Sequence, residues 1–142
     1  MKKKNEEGWT FLETIIVIAI ILILTTTVGF TAIKYMSKAR MVSAKTQIDA
    51  FIVALESYYI DCGKYPSQDQ GLSALVQKPS DEFFSAKWGG PYLYKDIPAD
   101  PWGNPYEYIS PGFNGMPYSI RSFGADGYEG GEDENADITS WK

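Results

Sequence analysis

The chain has 142 residues, enough for one compact domain, with 13 basic against 18 acidic residues and a formal net charge of -5. It contains no histidine and a single cysteine, Cys62, which excludes Ser-His-Asp and Cys-His nucleophilic pairs, imidazole zinc sites and any intramolecular disulfide. The acidic balance has the wrong sign for nucleic acid, which is not expected as a partner.

The N-terminal region is the most uneven part. No charged residue occurs from Thr14 to Ile33, and the run from Ile15 to Leu24 is entirely apolar. About 20 helical residues at a rise of about 1.5 Å reach roughly 30 Å, the thickness of a bilayer core. Lys2, Lys3 and Lys4 in front of the run hold the short N-terminus in the cytoplasm and send the remainder across. A cleaved signal peptide would have an apolar core of about 7–15 residues ending at small residues. Here the run continues into Thr25-Thr26-Thr27 and Val28-Gly29-Phe30, which favours a retained anchor. Glu13 stands at the edge of this segment and has two readings. With Thr10 it fits a T-x-x-E capping box at a helix start. As an ionisable group entering a membrane segment it needs a partner, and that partner would be functional.

From Lys34 to Ile60 there is no proline or glycine. Ile48, Phe51, Ile52, Leu55 and Tyr59 recur at helical spacing with Lys45, Asp49 and Glu56 flanking them, so one long helix is predicted, apolar all round at first and amphipathic later. Gly63 and Pro66 end it, with Cys62 as a small residue at its last turn. A second helix is predicted from Gln70 to Lys78, closed by Pro79. Beyond Trp88 the composition turns to prolines, glycines and aromatics, and Tyr106 to Ser110 and Tyr118 to Phe123 alternate as short strands do. The predicted fold is α+β, a long helix packed on a small antiparallel sheet.

The segment from Gly124 to Asn135 is compositionally biased. Asp126, Glu129, Glu132, Asp133, Glu134 and Asp137 place six carboxylates in a glycine-punctuated stretch with no basic residue among them. Calcium takes about six to eight oxygens from carboxylates, amides and backbone carbonyls, so a cation loop is one reading and a solvated acidic tail is the other. The EF-hand spacing is absent. Ile138 and Trp141 weigh against a tail, because apolar residues beyond the loop imply that the chain returns to the core.

These features occur in a recognisable order. Gly8-Trp9-Thr10-Phe11-Leu12-Glu13 before an apolar run resembles the G-F-T-L-x-E processing motif of type IV pilins and their relatives. DCGKYPSQDQGLSALVQKP, then GGPYLYKDIPADPWGNPYEY, then the acidic loop ending in ADITSW resemble the major-pseudopilin family of type II secretion systems. The resemblance implies a pilin-like fold with three parts: a leader, 1–8, removed after Gly8 by a prepilin peptidase; a transmembrane and polymerisation helix, 9–33; and a periplasmic domain, 34–142. Trp9, where relatives carry phenylalanine, would become the methylated N-terminus. Glu13 would act in assembly against the new amino group of a neighbouring subunit. No proline stands near Phe30, which leaves Gly29 as the weak point of the helix.

The implied protein is not an enzyme. It is a single-pass inner-membrane subunit that forms a homopolymeric periplasmic fibre with minor pseudopilins on an inner-membrane assembly platform. That fibre helps to push folded proteins through the outer membrane. The alternative is a type IV or competence pilin for adhesion or DNA uptake. Calcium is the implied cofactor, with Asp126, Asp137 and the Phe123 carbonyl as its principal ligands and Glu132 and Asn135 as further ones.

Overall fold

The computed structural model describes residues 10–141, the side chains of Phe30, Phe84 and Ser85 excepted. Helix α1 runs from Phe11 to Cys62. A 3-10 turn at Gly71–Leu75, helix α2 at Glu82–Lys87, strand β1 at Glu107–Ile109, strand β2 at Ser119–Ser122 and strand β3 at Ile138–Thr139 follow it. The chain divides into two units, Met1–Ser37 and Lys38–Lys142, and α1 contributes to both.

In the first unit the described apolar side chains have nothing to pack on. Phe11 is 83% exposed, and Ile15, Ile16, Ile20, Ile21, Leu22, Ile23, Leu24 and Val28 are exposed as well. Among the described residues α1 is the one helix long and apolar enough to cross a membrane. The polar atoms of the threonine run are satisfied within the helix. The hydroxyls of Thr26, Thr27 and Thr31 donate to the carbonyls of Leu22, Ile23 and Thr27 at 2.8, 2.9 and 2.9 Å, and Thr25 donates likewise to Ile21. Back-bonding of this kind is what lets hydroxyls sit in an apolar medium without an unmet polar group. The helix continues without a break through Gly29, because one glycine costs only about 1 kcal/mol of helix propensity and still reaches helical backbone angles.

In the second unit α1 is amphipathic. Ala44, Ile48, Phe51, Ala54, Leu55, Tyr58 and Cys62 are buried, a stripe whose spacings of three and four keep it on one helix face. It passes through Tyr58 and Cys62 instead of Tyr59, which is 44% exposed and stacks on Tyr65 with ring centres 4.7 Å apart. Leu72 and Leu75 of the 3-10 turn and Tyr106, Tyr108, Tyr118, Ile120 and Ile138 complete the core. Phe51 meets the edge of Tyr106 at 5.1 Å. Each large side chain buried in this way contributes about 1.5–3 kcal/mol.

The helix ends where the sequence places its stop, the Gly63 amide donating to the Tyr59 carbonyl at 2.8 Å. The helix predicted from Gln70 to Lys78 is instead a five-residue 3-10 turn. Ser67 and Gln70 exchange backbone-to-side-chain hydrogen bonds at 2.9 and 3.4 Å, and Gly71 has a φ of 55°, outside the right-handed region that an α-helix needs to propagate. Helix α2 lies in a stretch without apolar periodicity. The Asp81 carboxylate caps it by accepting the Phe83 amide at 3.0 Å.

The sheet is antiparallel, in the order β1-β2-β3. Tyr108 pairs with Ile120, and Ser122 pairs with Ile138. On the opposite face Glu107 pairs with Arg121 and Arg121 with Thr139. The return of the chain end expected from Ile138 and Trp141 is thus the third strand, and Trp141 packs against Phe113 at 5.0 Å.

Candidate functional site

At the start of α1 the Thr10 hydroxyl accepts the Glu13 amide at 3.3 Å, one half of a capping box. Among the described residues the Glu13 carboxylate makes no hydrogen bond or ion pair. Gly8, Trp9 and the leader lie outside the described residues.

The acidic loop closes over the side of the sheet that carries Arg121. The Arg121 side chain is only 9% exposed. Its Nε and Nη2 both donate to Glu107 Oε2 at 2.7 Å, Nη1 donates to Glu129 Oε1 at 2.9 Å, and Nη1 lies 3.7 Å from Asp137 Oδ2. The guanidinium sits 4.4 Å from the ring centre of Phe123 and 5.9 Å from that of Phe113, an arrangement favourable for a desolvated cation. Burial pulls its pKa down, but the Glu129 and Glu107 carboxylates outweigh that and raise it overall. The loop therefore owns a cation that a reading confined to residues 126–137 misses. The available signal was a lone arginine inside the alternating run from Tyr118 to Phe123, on the face opposite Ile120.

The DPWGN segment holds the first turn of the loop. Asp100 is 5% exposed. Its Oδ1 accepts the amides of Trp102 and Asn104 at 3.1 and 2.8 Å, and its Oδ2 accepts the Ser122 hydroxyl at 2.6 Å. Asn104 Nδ2 donates to the Gly124 carbonyl at 3.2 Å. The aspartate is the acceptor that a loop rich in free amides requires, and it ties that loop to β2.

Of the expected ligands, Asp126 closes a turn, its Oδ1 accepting the Tyr128 amide at 3.1 Å. Asp137 Oδ2 accepts the Gly130 amide at 3.1 Å, whereas its Oδ1 is buried without a hydrogen-bond partner. Glu132 and Asn135 are both exposed, Glu132 just before a 3-10 turn at Asp133–Asn135 and Asn135 as its last residue. Among the described residues no three acidic side chains converge closely enough to hold a metal by themselves. Backbone carbonyls do gather. A methyl at Gly131 would collide with the Asn135 carbonyl oxygen, and one at Gly124 would lie 2.8 and 2.9 Å from the carbonyl oxygens of Glu134 and Asn135. One orphaned carboxylate oxygen and the Asn135 carbonyl are oxygens of the kind that a hard cation takes, while the Glu134 carbonyl already accepts the Ala125 amide at 2.9 Å.

Cys62 is buried, with its thiol pKa raised by desolvation, as suits a structural cysteine and not a nucleophile.

Residues 31–141 match the family of type II secretion system (T2SS) protein G. The chain belongs to this family. The type II secretion system core protein G of Pseudomonas aeruginosa is 40% identical over 141 residues, covering 99% of both chains. That of Vibrio cholerae is 41% identical over 140 residues, covering 99% of this chain and 94% of the relative. The major pseudopilin from the type 2 secretion system of enterohaemorrhagic Escherichia coli has the same fold. It superposes with a TM-score of 0.63 at 32% identity, over 75% of this chain and 90% of that one. The expected family and the expected pilin-like fold of helix and small sheet both hold for this protein G relative, and its named relatives are core components of a secretion system.

Proposed function

We propose that this chain is the major subunit of a type II secretion fibre. Before assembly it is anchored in the inner membrane by the apolar part of α1, with its C-terminal unit in the periplasm, and it then polymerises with itself through that same helix. The observation that carries this reading is the exposed apolar surface of the first part of α1 in a chain whose relatives are core proteins of the secretion system. Such a surface needs lipid or neighbouring helices to cover it. The leader 1–8 is removed by a prepilin peptidase and Trp9 is methylated. The Glu13 carboxylate, which has no partner among the described residues, pairs with the amino group of a neighbouring Trp9. Minor pseudopilins and the inner-membrane assembly platform complete the partners. No catalytic role is assigned.

Calcium is the proposed cofactor. Asp137 through its free Oδ1, Asp126 and the carbonyl of Phe123 would hold it, with Glu132 and Asn135 beside them, and it would supply charge neutralisation and a fixed loop shape. The support is the orphaned Asp137 oxygen and the Asn135 carbonyl beside Gly124 and Gly131.

The deciding experiment is Glu13→Ala expressed with the secretion machinery. Insertion and leader removal persist, while fibres recovered by shearing are lost, because one charge of an ion pair in an apolar setting is left alone at every interface, at roughly 3–5 kcal/mol each. Normal fibres from this variant would return Glu13 to a helix-capping role.

A further inference from the structure

Three carboxylates, Glu107, Glu129 and Asp137, lie around one guanidinium, which is close to two phenylalanine rings and almost fully removed from solvent. These carboxylates come from separate places: Glu107 from β1, Glu129 from the first half of the acidic loop and Asp137 from its end. Arg121 stands on β2 between β1 and β3, so its contacts join the first half and the end of the loop to the sheet. Planar, multiply donating arginine is suited to that task in a way that lysine is not.

We propose that Arg121 is a built-in cation that closes the acidic loop without metal and positions Asp137. The contact on Asp137 Oδ2 is shared with the Gly130 amide, which directs the carboxylate so that Oδ1 is the oxygen left over. Arg121 supplies one positive charge against three negative ones, so the cluster stays electronegative after closure and still favours a further cation. Loop order thus has two contributions, one from arginine at all times and one from a divalent ion when present. The second rests on the calcium reading above; the first does not.

The test is amide hydrogen exchange on the full chain in detergent micelles, in chelator and then in millimolar calcium chloride, for the parent, Arg121→Gln and Glu129→Gln. In chelator, Arg121→Gln speeds exchange at the Gly130 and Ala125 amides at least about tenfold, while the Ile109 and Ser119 amides, paired between β1 and β2, keep their protection. Unchanged Gly130 exchange in that variant overturns the proposal. If the sheet amides also open, Glu129→Gln decides, since it removes a partner that is 75% exposed and leaves the core intact. A two- to fivefold acceleration at Gly130 alone, the scale of an exposed ion pair, supports the proposal, and no acceleration overturns it. Calcium restoring protection to Arg121→Gln reports on the metal reading, and its failure to do so leaves the chelator result standing.

Discussion

Replacing Asp100 by alanine should be the most damaging single change outside the apolar core. The carboxylate accepts three hydrogen bonds, from Trp102, Asn104 and Ser122, and it is 5% exposed. Hydrogen bonds to a charged group contribute about 1.5–3 kcal/mol each. Their plain sum overstates the loss, because the two amides lie in a loop and regain some water once the side chain is gone. A loss of about 3–5 kcal/mol is expected. For a unit of this size each kcal/mol is worth about 4–8 °C, so the midpoint should fall by at least about 12 °C. Asp100→Asn separates charge from shape. Its remaining oxygen still accepts both amides and its amide group faces the Ser122 hydroxyl, which can accept, so a cost of about 1 kcal/mol is expected. The assay is thermal unfolding of the full chain in micelles, in chelator and at neutral pH, followed by near-ultraviolet circular dichroism, to which the tyrosines and Trp102 contribute. An alanine variant within about 1 kcal/mol of the parent would show that the DPWGN segment does not anchor the loop. Equal damage from asparagine and alanine would show that the charge itself is required.

Calcium at millimolar concentration should raise the unfolding midpoint of the parent by several degrees, as about 2.7 kcal/mol is gained at a hundredfold excess over Kd, and magnesium should do little. Asp126→Ala and Asp137→Ala should each remove the difference, and identical parent midpoints in chelator and calcium would eliminate the site. Gly8→Val should leave the leader attached, which intact mass of the membrane-bound chain decides; a species beginning at Trp9 would contradict the assigned cleavage point. Stability should also fall steeply in alkali. Burial raises the phenols of Tyr106 and Tyr108 to about 12, so the folded chain holds protons that the unfolded chain releases from about pH 10. The stabilisation is complete below pH 10 and is lost between about pH 10 and pH 12, at about 1.4 kcal/mol per pH unit for each group. Tyr106→Phe should flatten that decline in urea titrations, and an unchanged slope would remove Tyr106 as a cause.

Much of this fold is legible in the sequence because periodicity and punctuation carry it. The long helix, its stop at Gly63, two of the three strands and the return at Ile138 each follow from a local pattern. The short elements do not, since a 3-10 turn at Gly71 and a six-residue helix at Glu82 are decided by side-chain caps and by one glycine's backbone angle, both too local for periodicity to register. The stripe on α1 passes through Tyr58 where spacing alone points to Tyr59, because two adjacent tyrosines look alike until a neighbour, Tyr65, takes the outer one. Within the acidic loop, composition found the carboxylates but not what they face. Arg121 is 14 residues from Glu107 and 8 from Glu129 in sequence, and only the pairing of β1, β2 and β3 brings these residues together. Counting charges within a segment overlooks a counterion supplied by a strand.

The measurement that bears most directly on the assembly reading is electron cryomicroscopy of sheared fibres at a resolution that places side chains. The expected map has the apolar segments of α1 packed together along the fibre axis, with Glu13 of each subunit within ion-pair distance of a neighbour's N-terminal amine. A fibre whose contacts are made by the C-terminal units alone, with residues 11–33 outside its core, would contradict it.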